Sequence, residues 1–115
     1  MAMILVFITC KNQKEAQEIG LSLLKKRLAG CMVVIPKVSS AYFWPPKKGR
    51  IEKWNEAILL VKTLKKKFPQ VRHEVKRLHS YTMPCILEIP IGRTYRPYLR
   101  WLESELKEVG LPIFL

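Results

Sequence analysis

The apolar residues of this 115-residue chain change their spacing several times, and the changes divide the chain into strands and helices. Residues 3–9 form a nearly continuous apolar run, rich in β-branched and aromatic residues, which predicts a strand covered on both faces. A helix is predicted next, because Asn12 and Glu15 have the spacing of an N-terminal capping box and Gly30 suits a left-handed helix end. The buried stripe of this helix is predicted to be Ala16, Ile19, Leu23, Leu24 and Leu28.

A long β-hairpin is predicted after this helix. β-branched and aromatic residues return in segments 31–44 and 51–63, and the turn residues 45–50 (PPKKGR) separate the two segments. Pro36 interrupts the first arm, and it has no N–H to donate to a β-ladder. We therefore expect a bulge or an edge stretch at Pro36.

The second half of the chain predicts two further helices and one strand. Phe68 and Pro69 open a helix that ends near His79, since proline suits a first turn. Residues 85–91 predict a strand with its odd-numbered residues on one face, and a third helix follows from about residue 95. The residues expected to face inward are Val71, Val75 and Leu78 in the second helix and Leu99, Leu102 and Leu106 in the third, which has Pro97 in its first turn and Gly110 at its end.

The predicted order of elements is β-α-β-β-α-β with an added C-terminal helix, which is the α+β, ferredoxin-like sandwich. Residues 1–115 are expected to form a single domain. Both main helices should cover one face of the sheet, and the other face carries no consistent polar pattern. We expect a second copy of the chain to cover that face and the apolar tail 111–115, so a closed homo-oligomer is predicted.

The charge of the chain is unevenly distributed. Its 21 basic and nine acidic residues give a net charge of +12, and all nine acids are glutamate. The absence of aspartate excludes the usual EF-hand loop, Ser-His-Asp triad and aspartic dyad. The excess lies in segments 47–53, 62–77 and 93–100. The basic residues of segment 62–77 make nucleic-acid binding an alternative function. Only one aromatic residue, Phe68, lies among them, so a solvated helix face is favoured over a nucleic-acid interface.

The three cysteines have no CxxC spacing and cannot all pair, which favours reduced thiols in the cytosol. The N-terminal run lacks a basic leader and a small-residue cleavage site, and no apolar stretch approaches the roughly 20 residues of a membrane helix. A cytoplasmic protein without a membrane partner is therefore expected.

The sequence lacks the familiar catalytic and nucleotide-binding motifs. Its five glycines are too scattered for a phosphate-binding loop, no GxSxG elbow occurs, and His73 and His79 are too far apart for HExxH. Thiolate and imidazole suit copper and zinc, so Cys31, Cys85 and His79 are candidate metal ligands. The alternatives stay open, since a free cysteine often acts as a small buried hydrophobe and His79 suits a helix cap beside Tyr81.

The chain resembles the CutA divalent-ion-tolerance proteins over nearly its whole length. The segments that carry the resemblance are residues 26–31 (KRLAGC), 40–44 (SAYFW), 49–52 (GRIE), 61–63 (VKT), 79–84 (HSYTMP) and 98–102 (YLRWL). The chain departs from the family pattern at Ser80, Thr82 and Cys85 and in a basic hairpin insertion at residues 45–48. Thr82 stands where an acid is common and Cys85 adds a thiol, so the site should favour soft over hard cations.

The resemblance implies a homotrimer similar to the PII signalling proteins, a role in tolerance of divalent metals such as copper, no enzymatic activity and no organic cofactor. It implies that Cys31 and His79 bind copper or another divalent cation weakly. An alternative is a PII-like sensor that holds a small anionic ligand between subunits with Lys62. The residues expected to line the inter-subunit cleft are Tyr42, Trp44, Glu52, Lys62 and Tyr81.

Overall fold

The computed structural model describes residues 2–106 as one four-stranded antiparallel sheet with three helices. The strands are β1 (Met3–Cys10), β2 (Cys31–Phe43), β3 (Ile51–Leu64) and β4 (Ile86–Pro90), and the helices are α1 (Gln13–Lys25), α2 (Phe68–Leu78) and α3 (Arg96–Leu106). A 3-10 turn at Lys65–Lys67, which the sequence did not indicate, connects β3 to α2. The predicted end of the third helix at Gly110 and the tail 111–115 lie outside the described residues.

The strand order is β2-β3-β1-β4, so the predicted ferredoxin-like α+β fold is confirmed. Alternate residues of β1, such as Val6 and Ile8, face α1 and α2 and are fully buried with Leu59 and Val61 of β3. A second, smaller cluster lies at the start of β1, where α3 contributes its buried stripe. That cluster contains Met3, Leu64, Leu102 and Leu106.

The end of α1 differs from the prediction. The residue in the left-handed conformation is Arg27, with a φ of 57°, and Gly30 does not have positive φ. The N–H groups of Arg27 and Leu28 donate to the carbonyls of Leu24 and Leu23, which is the Schellman pattern. Gly30 is required for space instead, because a Cβ atom there would lie 2.3 Å from the Cδ1 atom of Leu102.

The second helix is also rotated slightly from the predicted stripe. Val71 and Val75 are buried as expected, but Leu78 is 36% exposed and Glu74 takes a buried position between the helices. The carboxylate accepts hydrogen bonds from Ser22, Lys26 and Arg77, which explains why an acid is stable there.

The hairpin of β2 and β3 is as long as predicted, with an irregular register between Ile35 and Val38 that places the expected bulge at Pro36. Beyond the bulge, the two arms extend past the helices and are largely exposed.

The sheet face opposite α1 and α2 is apolar and, beyond the end where α3 packs on Met3 and Leu64, it is partly to largely exposed among the described residues. Leu87 of β4 is 51% exposed there. The residues that share this face, as the strand registers place them, are Leu5, Phe7, Val33, Ile35, Ile58, Leu60, Leu87 and Ile89. We call this set the open face.

Candidate functional site

A cleft of about 540 Å³ lies at the base of the hairpin, where the end of β1 and the loop between α2 and β4 meet β2 and β3. Register pairing puts Thr9 and Glu56 on the same side of the sheet as the open face, so the cleft continues that face. Its lining residues are Thr9, Ser40, Tyr42, Trp44, Glu56, Ser80, Tyr81, Thr82, Met83 and Cys85. We call this the hairpin cleft.

Glu56 and Tyr81 form the polar centre of the hairpin cleft. Glu56 is only 5% exposed, and the Tyr81 hydroxyl donates a hydrogen bond of 2.7 Å to its Oε2 atom. Burial, and then the hydrogen bond and charge of Glu56, raise the pKa of Tyr81 well above its usual value. Tyr81 therefore remains a neutral donor to a carboxylate at any physiological pH.

His79 fixes the loop that carries Tyr81. The Tyr81 N–H donates to Nδ1 of His79 at 3.1 Å, so Nδ1 is an acceptor and Nε2 carries the proton. That Nε2–H group donates to the carbonyl oxygen of Thr9 at 2.7 Å. The ring centroids of His79 and Tyr81 lie 4.8 Å apart. Nε2 thus attaches the loop to β1, and Nδ1 fixes the backbone of the loop itself.

Cys10, Glu15 and His79 bring their potential metal-ligating atoms within 4.8 Å of one another. The donor set does not fit an open metal site as folded, because both His79 nitrogens are occupied and the pKa of Cys10 is about 12, raised first by burial and then by Glu15 and Glu56. Burial also opposes ionisation of Glu15, but hydrogen bonds from Ser80 and the Lys11 N–H outweigh it and lower its pKa. The carboxylate of Glu15 therefore serves mainly to connect the loop to α1.

The structure brings together three of the five residues predicted for the ligand-binding cleft, namely Tyr42, Trp44 and Tyr81. Glu52 is the cross-strand partner of Tyr42 but does not line the hairpin cleft. Lys62 lies near the other end of β3, with its Nζ atom 5.3 Å from the ring centroid of Tyr98. Lys62 and the three aromatic residues therefore belong to different regions of one chain.

The two predicted metal ligands, Cys31 and His79, do not meet within one chain. Cys31 pairs with Lys62, which pairs with Leu5 of β1, whereas His79 is bonded to Thr9. Four residues of a β-strand span about 13 Å, so one ion cannot contact both side chains of the same chain. Their roles as ligands stay predictions.

Cys85 directly precedes β4, is partly buried and lines the hairpin cleft. Burial and then the charge of Glu56 raise the pKa of its thiol.

Sequence reasoning missed Glu56, Cys10 and Glu15 as site residues. The sequence gives Cys10 no role beyond a reduced thiol, since the predicted strand covers residues 3–9. It assigns Glu15 to a helix cap, which Glu15 only partly serves: the Glu15 N–H donates to Asn12 Oδ1, but the Glu15 side chain accepts from the Lys11 N–H. The sequence shows only that Glu56 directly precedes the apolar residues 57–61, and its burial is apparent from the fold alone.

Comparisons with known proteins give the relatives of this chain. A family model described as CutA1 divalent ion tolerance protein matches residues 4–105. The divalent-cation tolerance protein CutA of Archaeoglobus fulgidus is 40% identical over 89% of this chain and 96% of its own length. Protein CutA of Mus musculus is 34% identical over 90% of this chain, which spans 57% of that protein.

Solved structures show the same fold. The crystal structure of CutA1 from Oryza sativa superposes with a TM-score of 0.88 at 27% identity and covers 95% of this chain and 97% of its own. The Archaeoglobus fulgidus structure, described as that of a periplasmic divalent cation tolerance protein, gives a TM-score of 0.86 at 38% identity, with 91% of this chain and 99% of that chain covered. Within residues 2–106, none of the helices has the length and apolar character needed to cross a membrane.

Proposed function

We propose that this chain, which belongs to the CutA1 divalent ion tolerance family, is a cytosolic, non-enzymatic homotrimer that binds a small ligand in the hairpin cleft as part of the response to divalent cations. The observation that carries the proposal is the cleft itself. It is concave and aromatic, and a few polar groups converge in it, which is the usual composition of a ligand site. The proposed binding role involves no chemical step.

The open face supports the proposed assembly. A contiguous apolar surface of this kind is rarely left in water, and a second copy is the simplest cover because the hairpin extends beyond its own subunit's core. We expect Leu87→Glu to reduce the mass measured by sedimentation equilibrium, because the new charge would be buried in the subunit interface.

Leu21→Glu is the matched control, since Leu21 is 50% exposed on α1, on the opposite side of the sheet. A trimer that survives Leu87→Glu as well as Leu21→Glu would place the interface elsewhere, and a monodisperse wild-type monomer would remove assembly from the proposal.

Direct, weak metal binding by Cys31 and His79 is the second candidate, and the family description favours it. Within one chain the two residues lie in separate regions, so each requires further ligands. Calorimetric titration of Cu(II) and Zn(II) into the wild type, Cys31→Ala and His79→Ala tests the idea. Unchanged heats in both variants would remove these residues as ligands, and no heat in the wild type would remove direct binding.

Sensing of an anionic ligand through Lys62 is the third candidate, although Lys62 and the hairpin cleft lie apart within one chain. A thermal-shift screen of anionic metabolites tests it, because a specific ligand stabilises the folded state at constant ionic strength. Stabilisation that survives Lys62→Met would exclude this residue.

The cytosolic assignment is supported by the three cysteines, none of which is in a disulfide. The solved structure from Archaeoglobus fulgidus is described as that of a periplasmic protein, so the compartment is a direct test. Fractionation of the native host should recover the chain with cytosolic markers, and recovery with extracytoplasmic markers would contradict the assignment.

A further inference from the structure

Within one chain, the hairpin cleft contains a carboxylate whose charge is not compensated by a basic group. Within residues 2–106, no lysine, arginine or histidine nitrogen lies within ion-pair distance of Glu56, and its one hydrogen bond is from the neutral hydroxyl of Tyr81. A buried carboxylate is costly unless it is paired or well hydrogen-bonded. Glu56 therefore has the capacity to accept from a further donor.

The other two buried glutamates show how this chain normally stabilises such a group. Glu15 accepts from two backbone N–H groups, and Glu74 accepts from Ser22, Lys26 and Arg77. Among the described residues Glu56 has neither arrangement, although the chain carries 21 lysines and arginines. The missing partner is consistent with a place that a ligand fills.

The walls of the cleft suit an organic cation. Tyr42, Trp44 and Tyr81 line the same cleft as the Glu56 carboxylate. The face of an aromatic ring attracts an ammonium group. The same surfaces pack against an apolar substituent. One carboxylate with aromatic rings is a poor match for a hard divalent ion, which requires six or more oxygen ligands.

The local field in the cleft also favours a cation. Besides Tyr81, the thiol of Cys85 has a raised pKa, first because of burial and then because of the charge of Glu56. The acidic groups around Glu56 therefore stay neutral, while Glu56 itself provides negative charge. An anionic ligand would have to approach this charge.

We propose that the hairpin cleft binds an organic ammonium ion that carries an apolar group. The ammonium N–H groups donate to Glu56, and the apolar group lies against Tyr42, Trp44 and Tyr81. This inference rests on the proposed function of the cleft as a ligand site and adds the sign of the charge and the chemical class of the ligand.

Three probes that share a phenyl ring and are similar in size separate the effect of charge from that of the ring: benzylammonium, benzyl alcohol and benzoate. Each is titrated by calorimetry into the intact assembly at one ionic strength and pH. We expect benzylammonium to bind, benzyl alcohol to bind more weakly and benzoate not to bind. Glu56→Gln should weaken benzylammonium binding by about tenfold or more, because the hydrogen bond loses its charge.

Matched variants keep the test specific. Glu18→Gln removes the same charge from the exposed surface of α1 and should leave the affinity unchanged. Glu56→Asp retains the charge and should retain part of the binding, provided that its unfolding stays cooperative. Tyr42→Leu removes one ring and should weaken benzylammonium more than benzyl alcohol.

The outcomes distinguish this inference from the proposed function. If benzoate or benzyl alcohol binds at least as tightly as benzylammonium, and Tyr42→Leu weakens that binding, the cleft is a ligand site but the assignment of a cation is wrong. Benzylammonium binding that is unchanged in Glu56→Gln also overturns the inference. If none of the three probes binds at millimolar concentration, both the inference and the ligand-binding role of the cleft fail.

Discussion

Glu74 makes the clearest stability prediction, because a single buried carboxylate connects α1 to α2. Its Oε1 atom accepts from Lys26 Nζ and Arg77 Nε at 3.0 Å, and its Oε2 atom accepts from Ser22 Oγ at 2.6 Å and Arg77 Nη2 at 2.8 Å. The Glu74 side chain is only 4% exposed, but the two basic side chains that cover it are about half exposed. Glu74 thus lies just below the surface, under groups that water reaches.

Glu74→Gln keeps the shape and removes the charge. The amide has one acceptor oxygen in place of two, so it cannot receive all four hydrogen bonds. Each half-exposed ion pair contributes about 0.2–1 kcal/mol, and loss of the charge weakens the Ser22 hydrogen bond by roughly 1 kcal/mol. The free energy of unfolding should therefore fall by about 2 kcal/mol at neutral pH.

The pH dependence of this loss provides a second check. The hydrogen bonds of Arg77 and Ser22 outweigh burial, and with Lys26 they hold the pKa of Glu74 far below its ordinary range. A carboxylate with a depressed native pKa stabilises the fold fully above its unfolded pKa of about 4.3 and loses that contribution as the pH falls through the native value. The wild type and Glu74→Gln should therefore differ most above about pH 5 and converge in acid.

Urea unfolding followed by circular dichroism measures this difference between pH 3 and pH 8, at one subunit concentration because the stability of an oligomer depends on it. Glu18→Gln, an exposed acid on α1, should change stability by no more than about 0.5 kcal/mol. A loss below about 0.5 kcal/mol for Glu74→Gln at pH 7, or a loss that does not shrink in acid, would refute the reasoning.

Two further predictions test the fold and the cysteines. Gly30→Ala should lower the free energy of unfolding, measured in urea, by roughly 1–3 kcal/mol, because the new Cβ atom would displace buried Leu102. Gly92→Ala should be near neutral, because the space around Gly92 is open. Equal effects of the two substitutions would contradict this prediction. The pKa of about 12 predicts that Cys10 resists iodoacetamide at pH 8 until the protein unfolds, whereas partly exposed Cys31 reacts first. Mass spectrometry of the labelled peptides shows the order of reaction. Early labelling of Cys10 would disprove the prediction.

The sequence predicts most of the fold because apolar spacing and proline positions are local signals. The alternation in β3 and the position of Pro36 are sufficient for the hairpin and its bulge. Two helix details failed for non-local reasons. Gly30 is needed because α3 approaches it, and Glu74 is buried because Ser22 and Lys26 lie on another helix, so neither fact is visible in the spacing of one element.

The candidate site was less predictable, since its residues come from four separate segments. The resemblance identified Tyr42, Trp44 and Tyr81, which do meet. It also grouped Lys62 with them, and strand register shows that Lys62 belongs to the other end of the sheet within one chain. Glu56 was overlooked because its importance comes from the lack of a basic partner among the described residues, which only three-dimensional contacts show.

The net charge of +12 would suggest an anionic ligand, whereas the carboxylate in the hairpin cleft suggests a cationic one. Screening by salt decides in favour of the cationic ligand. At physiological ionic strength the Debye length is about 8 Å, so Lys65 and Lys66, which follow the end of β3 opposite to Glu56, contribute little field at the cleft. Glu56 is buried, and salt screens its interaction with a ligand in contact far less. The basic surface therefore sets solubility and the approach of other molecules, whereas one unpaired carboxylate sets the sign of what the cleft holds.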